Sequence, residues 1–247
     1  MKPRAKSRDL SPTPHVRILH LHFGMKNFVV VLCLCVLGST ADAQNLGEIL
    51  ARMDREAPNF HAISADIDMK TYTDVLRDTT DEKGTLKMQR LGPKDVRAIV
   101  DFTGGSDARV IAFLGKVVKI YYPNLKQVQE YEVGRNSDVL NQFLLLGFGS
   151  SGHELAQSYN ITEAGQENLA GHDTTKLVLI PKDPKVLERL SKAELWIPSD
   201  AAYPIQQQFY EPSKNYRLVR YSNTILNPPI KGRLELKLPS GTSNGKQ

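Results

Sequence analysis

For metal or nucleophilic chemistry the chain offers six histidines and two cysteines. Beyond residue 43 the histidines are His61, His153 and His172. None has a second histidine at i+4, and none sits in H-E-x-x-H, the spacing that puts two imidazoles on one helix face around zinc. No cysteine stands near them in sequence, because Cys33 and Cys35 both fall in an apolar run close to the N-terminus. No G-x-S-x-G is present to lift a serine nucleophile onto a strand–helix turn. The histidines read as surface or strand-end residues, and the sequence predicts no metal, no cofactor and no catalysed reaction.

One stretch matches a nucleotide fingerprint by letter. Gly147-Phe-Gly-Ser-Ser-Gly152 fits G-x-G-x-x-G, and Glu167 follows downstream. The fingerprint acts only where a strand enters it and a helix leaves it within a βαβ unit, so that pyrophosphate meets the helix N-terminus. Here the residues before it have helical spacing, and the surrounding segments alternate like antiparallel strands. The motif reads as a glycine-rich break after an apolar helix.

The formal charge of +5 points toward anionic partners until its location is considered. Residues 1–43 carry six of the 32 Lys/Arg and two of the 27 Asp/Glu. The remainder has 26 basic and 25 acidic residues, a net charge of +1. A nucleic-acid interface needs a basic face on the folded domain, and none is expected. Met25-Lys26 opens an apolar run over 28–37 that ends in Ala41-Asp42-Ala43. Basic start, short apolar core and A-x-A together form a secretory signal peptide. The run falls short of the roughly twenty residues a spanning helix needs. Residues 1–24 read as a basic extension or a mis-assigned start, 25–43 as a cleaved leader and 44–247 as one domain. Neither leader cysteine has the Leu-x-Gly/Ala-Cys context of lipidation, so the product is cysteine-free and held together by burial.

The elements of that domain follow from periodicity. Leu46, Ile49, Leu50 and Met53 recur at i, i+3, i+4, i+7, predicting a helix over 45–57 that Pro58 ends. Period-two alternation then dominates. Residues 61–78 form a strand with Ile63, Ala65, Ile67 and Met69 on one face, and DTTDEKG is its turn. GTLKMQR at 84–90 pairs back through Leu86 and Met88. The strand over 96–102 returns with Val96, Ala98, Val100 and Phe102 on one face. Strands over 109–114, 116–122 and 126–133 continue the meander. The period changes over 137–148, where Val139, Leu140, Phe143 and Leu144 share a helical face with Phe148 beyond them. A short helix over 153–158 follows, then strands over 159–164 and 172–180, and a helix opened by Asp183-Pro184. The closing meander runs from ELWI through LELKLPSG, with a frayed tail from about 240. A single curved antiparallel sheet is predicted, mainly β in class (α+β). Its small-to-medium apolar face and two apolar helices point to a concavity suited to acyl chains.

This order of parts resembles the periplasmic lipoprotein carrier family (LolA-like), over about residues 45–240. The likeness rests on GTLKMQR with Pro93 and Arg97, Tyr121-Tyr122-Pro123, FLLLGF, ELAQSYNI, LVLIPKD, ELWI, YPIQQQFYEPSKNY and LELKLPSG. Each is weak alone; their order and spacing carry the resemblance. It implies an incomplete β-barrel with an N-terminal helix and short lid helices over an apolar cavity. The implied cavity residues are Ile63, Ile67, Met69, Leu86, Met88, Val100 and Phe102, under a lid of Leu140, Phe143 and Leu144. In the family a basic residue holds the lid shut through backbone carbonyls; Arg90 matches that position and Arg97 competes with it. The resemblance further implies a monomer in the periplasm that carries acylated lipoprotein or lipid. An inner-membrane releasing complex and an outer-membrane receptor would be its partners. A lipid- or lipoprotein-sensing regulator and a glycolipid carrier are the alternatives on the same fold.

Overall fold

A computed structural model describes residues 40–92, 95–102, 104, 107–133 and 144–245, with side chains from Asn45 onward. Residues from Ala41 onward form one compact unit. The expected extension and most of the expected leader lie outside the described residues, as do Leu140 and Phe143 of the expected lid.

Helix α1, Thr40–Glu56, comes first and ends in a 3-10 turn, Ala57–Asn59, containing Pro58. Its apolar stripe buries Ile49 and Met53 among Leu177, Leu179, Leu195 and Ile197 of two later strands. Polar contacts fix its orientation. Asn45 donates to Glu163 Oε1 at 2.9 Å, and Arg52 donates to the carbonyls of Ser199 at 2.6 Å and Pro198 at 3.0 Å.

The strands are β1 Ala62–Thr73, β2 Asp78–Gly92, β3 Asp95–Phe102, β4 Arg109–Leu114, β5 Val117–Tyr122 and β6 Gln127–Glu132. After residues 144–150 come helix α2 Gly152–Ser158, β7 Tyr159–Leu169, β8 His172–Pro181 and helix α3 Pro184–Leu187. The chain closes with β9 Lys192–Pro198, β10 Gln206–Tyr210, β11 Tyr216–Leu226 and β12 Ser243–Asn244. All twelve join one open sheet in the order β12-β6-β5-β4-β3-β2-β1-β11-β10-β9-β8-β7. Every pairing is antiparallel except β12 on β6. The mainly β, unclosed sheet predicted from alternation is the fold found. Among the described residues no helix is long and apolar enough to cross a membrane.

Three expectations are corrected. The first hairpin turns at Asp74–Arg77, not at DTTDEKG: Arg77 takes a left-handed φ of 49° and its N–H donates to Asp74 O at 3.1 Å. Residues 78–83 are strand, pairing Tyr72 with Thr79 and Lys70 with Asp81, the latter also as a 2.8 Å ion pair. This ribbon buries no core face, so it has no apolar alternation to betray it. Second, LELKLPSG is not a strand. Residues 227–242 form a strap fastened by side chains: Gln89 bonds Gly232 O and Leu234 N, and Arg97 donates to Leu234 O. Beyond it the tail pairs with β6 through Ser243 and Asn244 rather than fraying. Third, the helix expected over 137–148 is helical only at 144–145 within its described part, then turns over 146–149. Gly147 and Gly149, with φ of 79° and 73°, supply the left-handed backbone that ends it.

Candidate functional site

The inward rows of six consecutive strands in the sheet order, β4-β3-β2-β1-β11-β10, line one cavity of about 760 Å³. Register explains the composition. Leu86 faces Val100 across β2–β3, Val100 faces Ile111 across β3–β4, and Met69 faces Val219 across β1–β11. Cross-strand partners point to the same side of a sheet, so each apolar pair extends one wall. The size lies within the range typical of small-molecule sites.

Of the residues expected to line a cavity, Ile67, Met69, Leu86, Met88, Val100 and Phe102 do so, as does Leu144 of the expected lid. Ile63 does not: it is fully buried in the core that includes Phe60, Met88, Val96 and Phe148, behind the lining. The sequence reading left out Ile111, Phe113, Phe209, Val219 and Tyr221. Alternation in Tyr216–Leu226 would have found Val219 and Tyr221, which flank Arg220. RVIAFL is apolar on both faces and gives no phase. Gln207, a buried glutamine in an apolar wall, leaves no sequence signal at all.

Charged residues gather around the apolar interior. Arg109 makes a forked pair with Glu82 and stacks over the Phe102 ring, 4.5 Å from its centroid. Hydrogen bonding to Glu82 raises the Arg109 pKa against the opposing effect of burial. Arg217 pairs with Glu211 at 2.7 Å.

Residues 144–150 close one side. Leu145 and Phe148 sit in the core of β1–β3, whereas Leu146 sits in the core shared by α1, β8 and β9. The segment therefore bridges both halves of the molecule. Phe148 meets Tyr221 edge-on with ring centroids 4.9 Å apart. Its carbonyls are held by side chains: Ser150 Oγ donates to Leu145 O at 2.5 Å, Gln207 Nε2 to Leu146 O at 2.5 Å, and Arg90 Nη1 to Gly149 O at 3.0 Å. Arg90 also reaches Ala57 O at 3.4 Å.

Arg97 is elsewhere. Along a strand, alternate residues face opposite sides. Ala98, Val100 and Phe102 look inward, so Arg97 looks outward, where it donates to Leu234 O at 3.3 Å and lies 3.6 Å from Asp95.

The glycines of the apparent nucleotide fingerprint serve packing. A Cβ on Gly149 would collide with the Phe60 ring, and one on Gly152 with Leu50 O. The strand that follows, β7, pairs antiparallel with β8, and Ser151 and Glu154 form a capping box on α2 that consumes its first donors. Among the described residues no group of three or more His, Cys, Asp or Glu could hold a metal ion.

No protein-family model and no curated protein matches the sequence. Among solved structures, the chain is similar to an uncharacterized conserved protein from Thermus thermophilus, at 14% identity over 80% of this chain and 96% of that one, with a TM-score of 0.48. It is similar to a putative outer membrane lipoprotein-sorting protein domain from Vibrio parahaemolyticus, at 13% identity over 76% and 93%, with a TM-score of 0.41. It is also similar to lipoprotein LppX of Mycobacterium tuberculosis, at 17% identity over 75% and 98%, with a TM-score of 0.42. Likeness at this level is confined to general architecture. The order of parts expected from the sequence is present in this chain itself: a helix before the first strand, an open, almost wholly antiparallel sheet and an apolar cavity bordered by residues 144–150.

Proposed function

We propose that this chain is a periplasmic carrier that takes the acyl chains of lipoproteins or lipids into its concave cavity and conveys them toward the outer membrane, without catalysing a reaction. The observation that carries the reading is the cavity: about 760 Å³, walled by apolar residues from six strands, and closed by a segment fastened through its carbonyls. Burying each methylene of a guest contributes about 0.8 kcal/mol, so a cavity of this composition favours acyl chains over polar solutes. The paired charges Arg109–Glu82 and Arg217–Glu211 lie beside the apolar wall, where the polar end of an acylated guest would remain.

Arg90 is the proposed gate of the lid. A guanidinium has five N–H donors, and one of them holds Gly149 O. A hydrogen bond with one charged partner contributes about 1.5–3 kcal/mol, enough to bias a two-state lid and small enough for an arriving acyl chain to offset. Secretion through a leader cleaved after Ala43 would place the carrier in the periplasm, with an inner-membrane releasing complex and an outer-membrane receptor as partners. Mass spectrometry of the secreted protein tests the first point: a mature N-terminus at Gln44 is expected, and an intact Cys35 bearing diacylglycerol would overturn it. Solvent extraction of the native protein followed by lipid mass spectrometry tests the cargo: acylated species should copurify with it.

A further inference from the structure

We propose that Gln207 and Tyr221 form a second latch on the lid, placed inside the cavity so that the guest itself releases it. The geometry stands without any ligand; only the consequence for loading rests on the acyl-binding reading.

The latch is a relay of two hydrogen bonds. Tyr221 donates its hydroxyl to Gln207 Oε1 at 2.5 Å, and Gln207 Nε2 donates to Leu146 O at 2.5 Å. The first bond fixes which way the amide faces, and the second holds the lid backbone. Both residues sit on the cavity wall: Tyr221 pairs in register with Ile67, and Gln207 with Val219. Burial raises the Tyr221 pKa, so the hydroxyl stays protonated and able to donate. The lid is seated against the same residues. A Cβ on Gly147 would come within 2.9 Å of Pro204 and 3.3 Å of Gln207 Nε2, so the turn can approach this closely only with glycine there.

The two latches differ in what reaches them. Arg90 grips Gly149 O from outside the cavity lining, next to the Ala57–Asn59 turn. Gln207, Tyr221 and Phe148 are themselves lining residues. A chain packing against the Tyr221 ring takes the place of Phe148, whose ring now lies there at about a right angle to it. Only Gly147 separates Phe148 from Leu146, so a displacement of the Phe148 backbone that carries Leu146 O by an ångström or so breaks a 2.5 Å bond. Entry of the guest and lifting of the lid thus become one event.

A lid held shut by a latch lowers apparent affinity by the fraction of open molecules, and removing the latch raises it. A residue that merely shapes the wall would do the opposite when altered. The test uses Tyr221→Phe, which deletes one oxygen, and Gln207→Leu. Hydrogen exchange of the 144–150 peptide in the protein without added ligand, and stopped-flow binding of dansyl-undecanoate, are measured together. Loss of a net hydrogen bond should speed lid exchange by about tenfold in each variant, with exchange of β1 and β11 unchanged. Probe association should quicken by a similar factor. Unchanged lid exchange in Tyr221→Phe would overturn the latch, as would faster exchange accompanied by weaker probe binding. If lid exchange quickens while neither variant nor wild type binds the probe, the latch stands and the acyl-carrier reading falls.

Discussion

Arg90 and Arg97 hold their guanidinium groups on opposite faces of the same sheet, one on Gly149 O of the lid and the other on Leu234 O of the C-terminal strap. The β2–β3 hairpin separates them: Arg90 pairs with Val96, and Gln89 pairs with Arg97. Two arginines that compete in sequence for one role therefore act on different parts of the molecule.

Arg90→Leu should open the lid without loosening the sheet. Exchange of residues 144–150 should rise by about tenfold or more, in line with the loss of a charge-assisted hydrogen bond. Arg97→Leu should leave lid exchange unchanged and free the strap instead. Its urea midpoint should fall by the equivalent of about 1.5–3 kcal/mol. Equal lid exchange in wild type and Arg90→Leu would remove Arg90 from the gate.

The cavity wall predicts a face-dependent response to charge. Val100 lies on the lining, half-buried, and Ile99 on the outer side of the same strand. Val100→Asp leaves its carboxylate hydrated until an apolar guest displaces the water. It should then bind dansyl-undecanoate at least tenfold more weakly, since burying an uncompensated charge costs several kcal/mol. Ile99→Asp should bind as wild type does. Equal binding by both variants would place the guest outside the cavity.

Glu194 gives a pH signature. Its carboxylate is nearly buried and bonded to Lys192 at 2.7 Å and Lys176 at 3.2 Å. Burial pushes its pKa up, but the lysine contacts outweigh burial and hold it below the ordinary value. A depressed folded pKa adds stability above the unfolded value, near about 4.3, and loses it as pH falls through the folded one. Glu194→Gln should therefore cost about 1.5–3 kcal/mol at pH 7. The gap to wild type should narrow as pH drops below about 4. A gap independent of pH would mean that the ion pairs add nothing.

Much of this architecture was legible because apolar alternation and turn residues coincide. Val96, Ala98, Val100 and Phe102 announce their face, and the strands Arg109–Leu114 and Tyr216–Leu226 were bounded by their own composition. Legibility failed where no face is buried in a core, as in the Asp78–Lys83 part of β2, whose pairing is polar and ionic. It failed again where side chains replace ladder bonds, as in the strap held by Gln89 and Arg97. The candidate site divides likewise. Met88 and Phe102 could be assigned inward from period two, but Ile63, which pairs with Met88, is fully buried in a cluster that also holds Phe60 and Phe148, residues brought by other elements. Gln207 was illegible because its importance comes from Leu146, remote in sequence.

Carriage of an acylated protein is decided by transfer between membranes. Inner-membrane vesicles bearing a labelled triacylated lipoprotein are incubated with the purified protein, and the supernatant is then mixed with outer-membrane vesicles. A carrier should give a soluble complex of the two proteins, reduced in Val100→Asp, followed by appearance of the label in the outer membranes. Label that stays in the donor vesicles, or a complex that forms but never delivers its cargo, would contradict it.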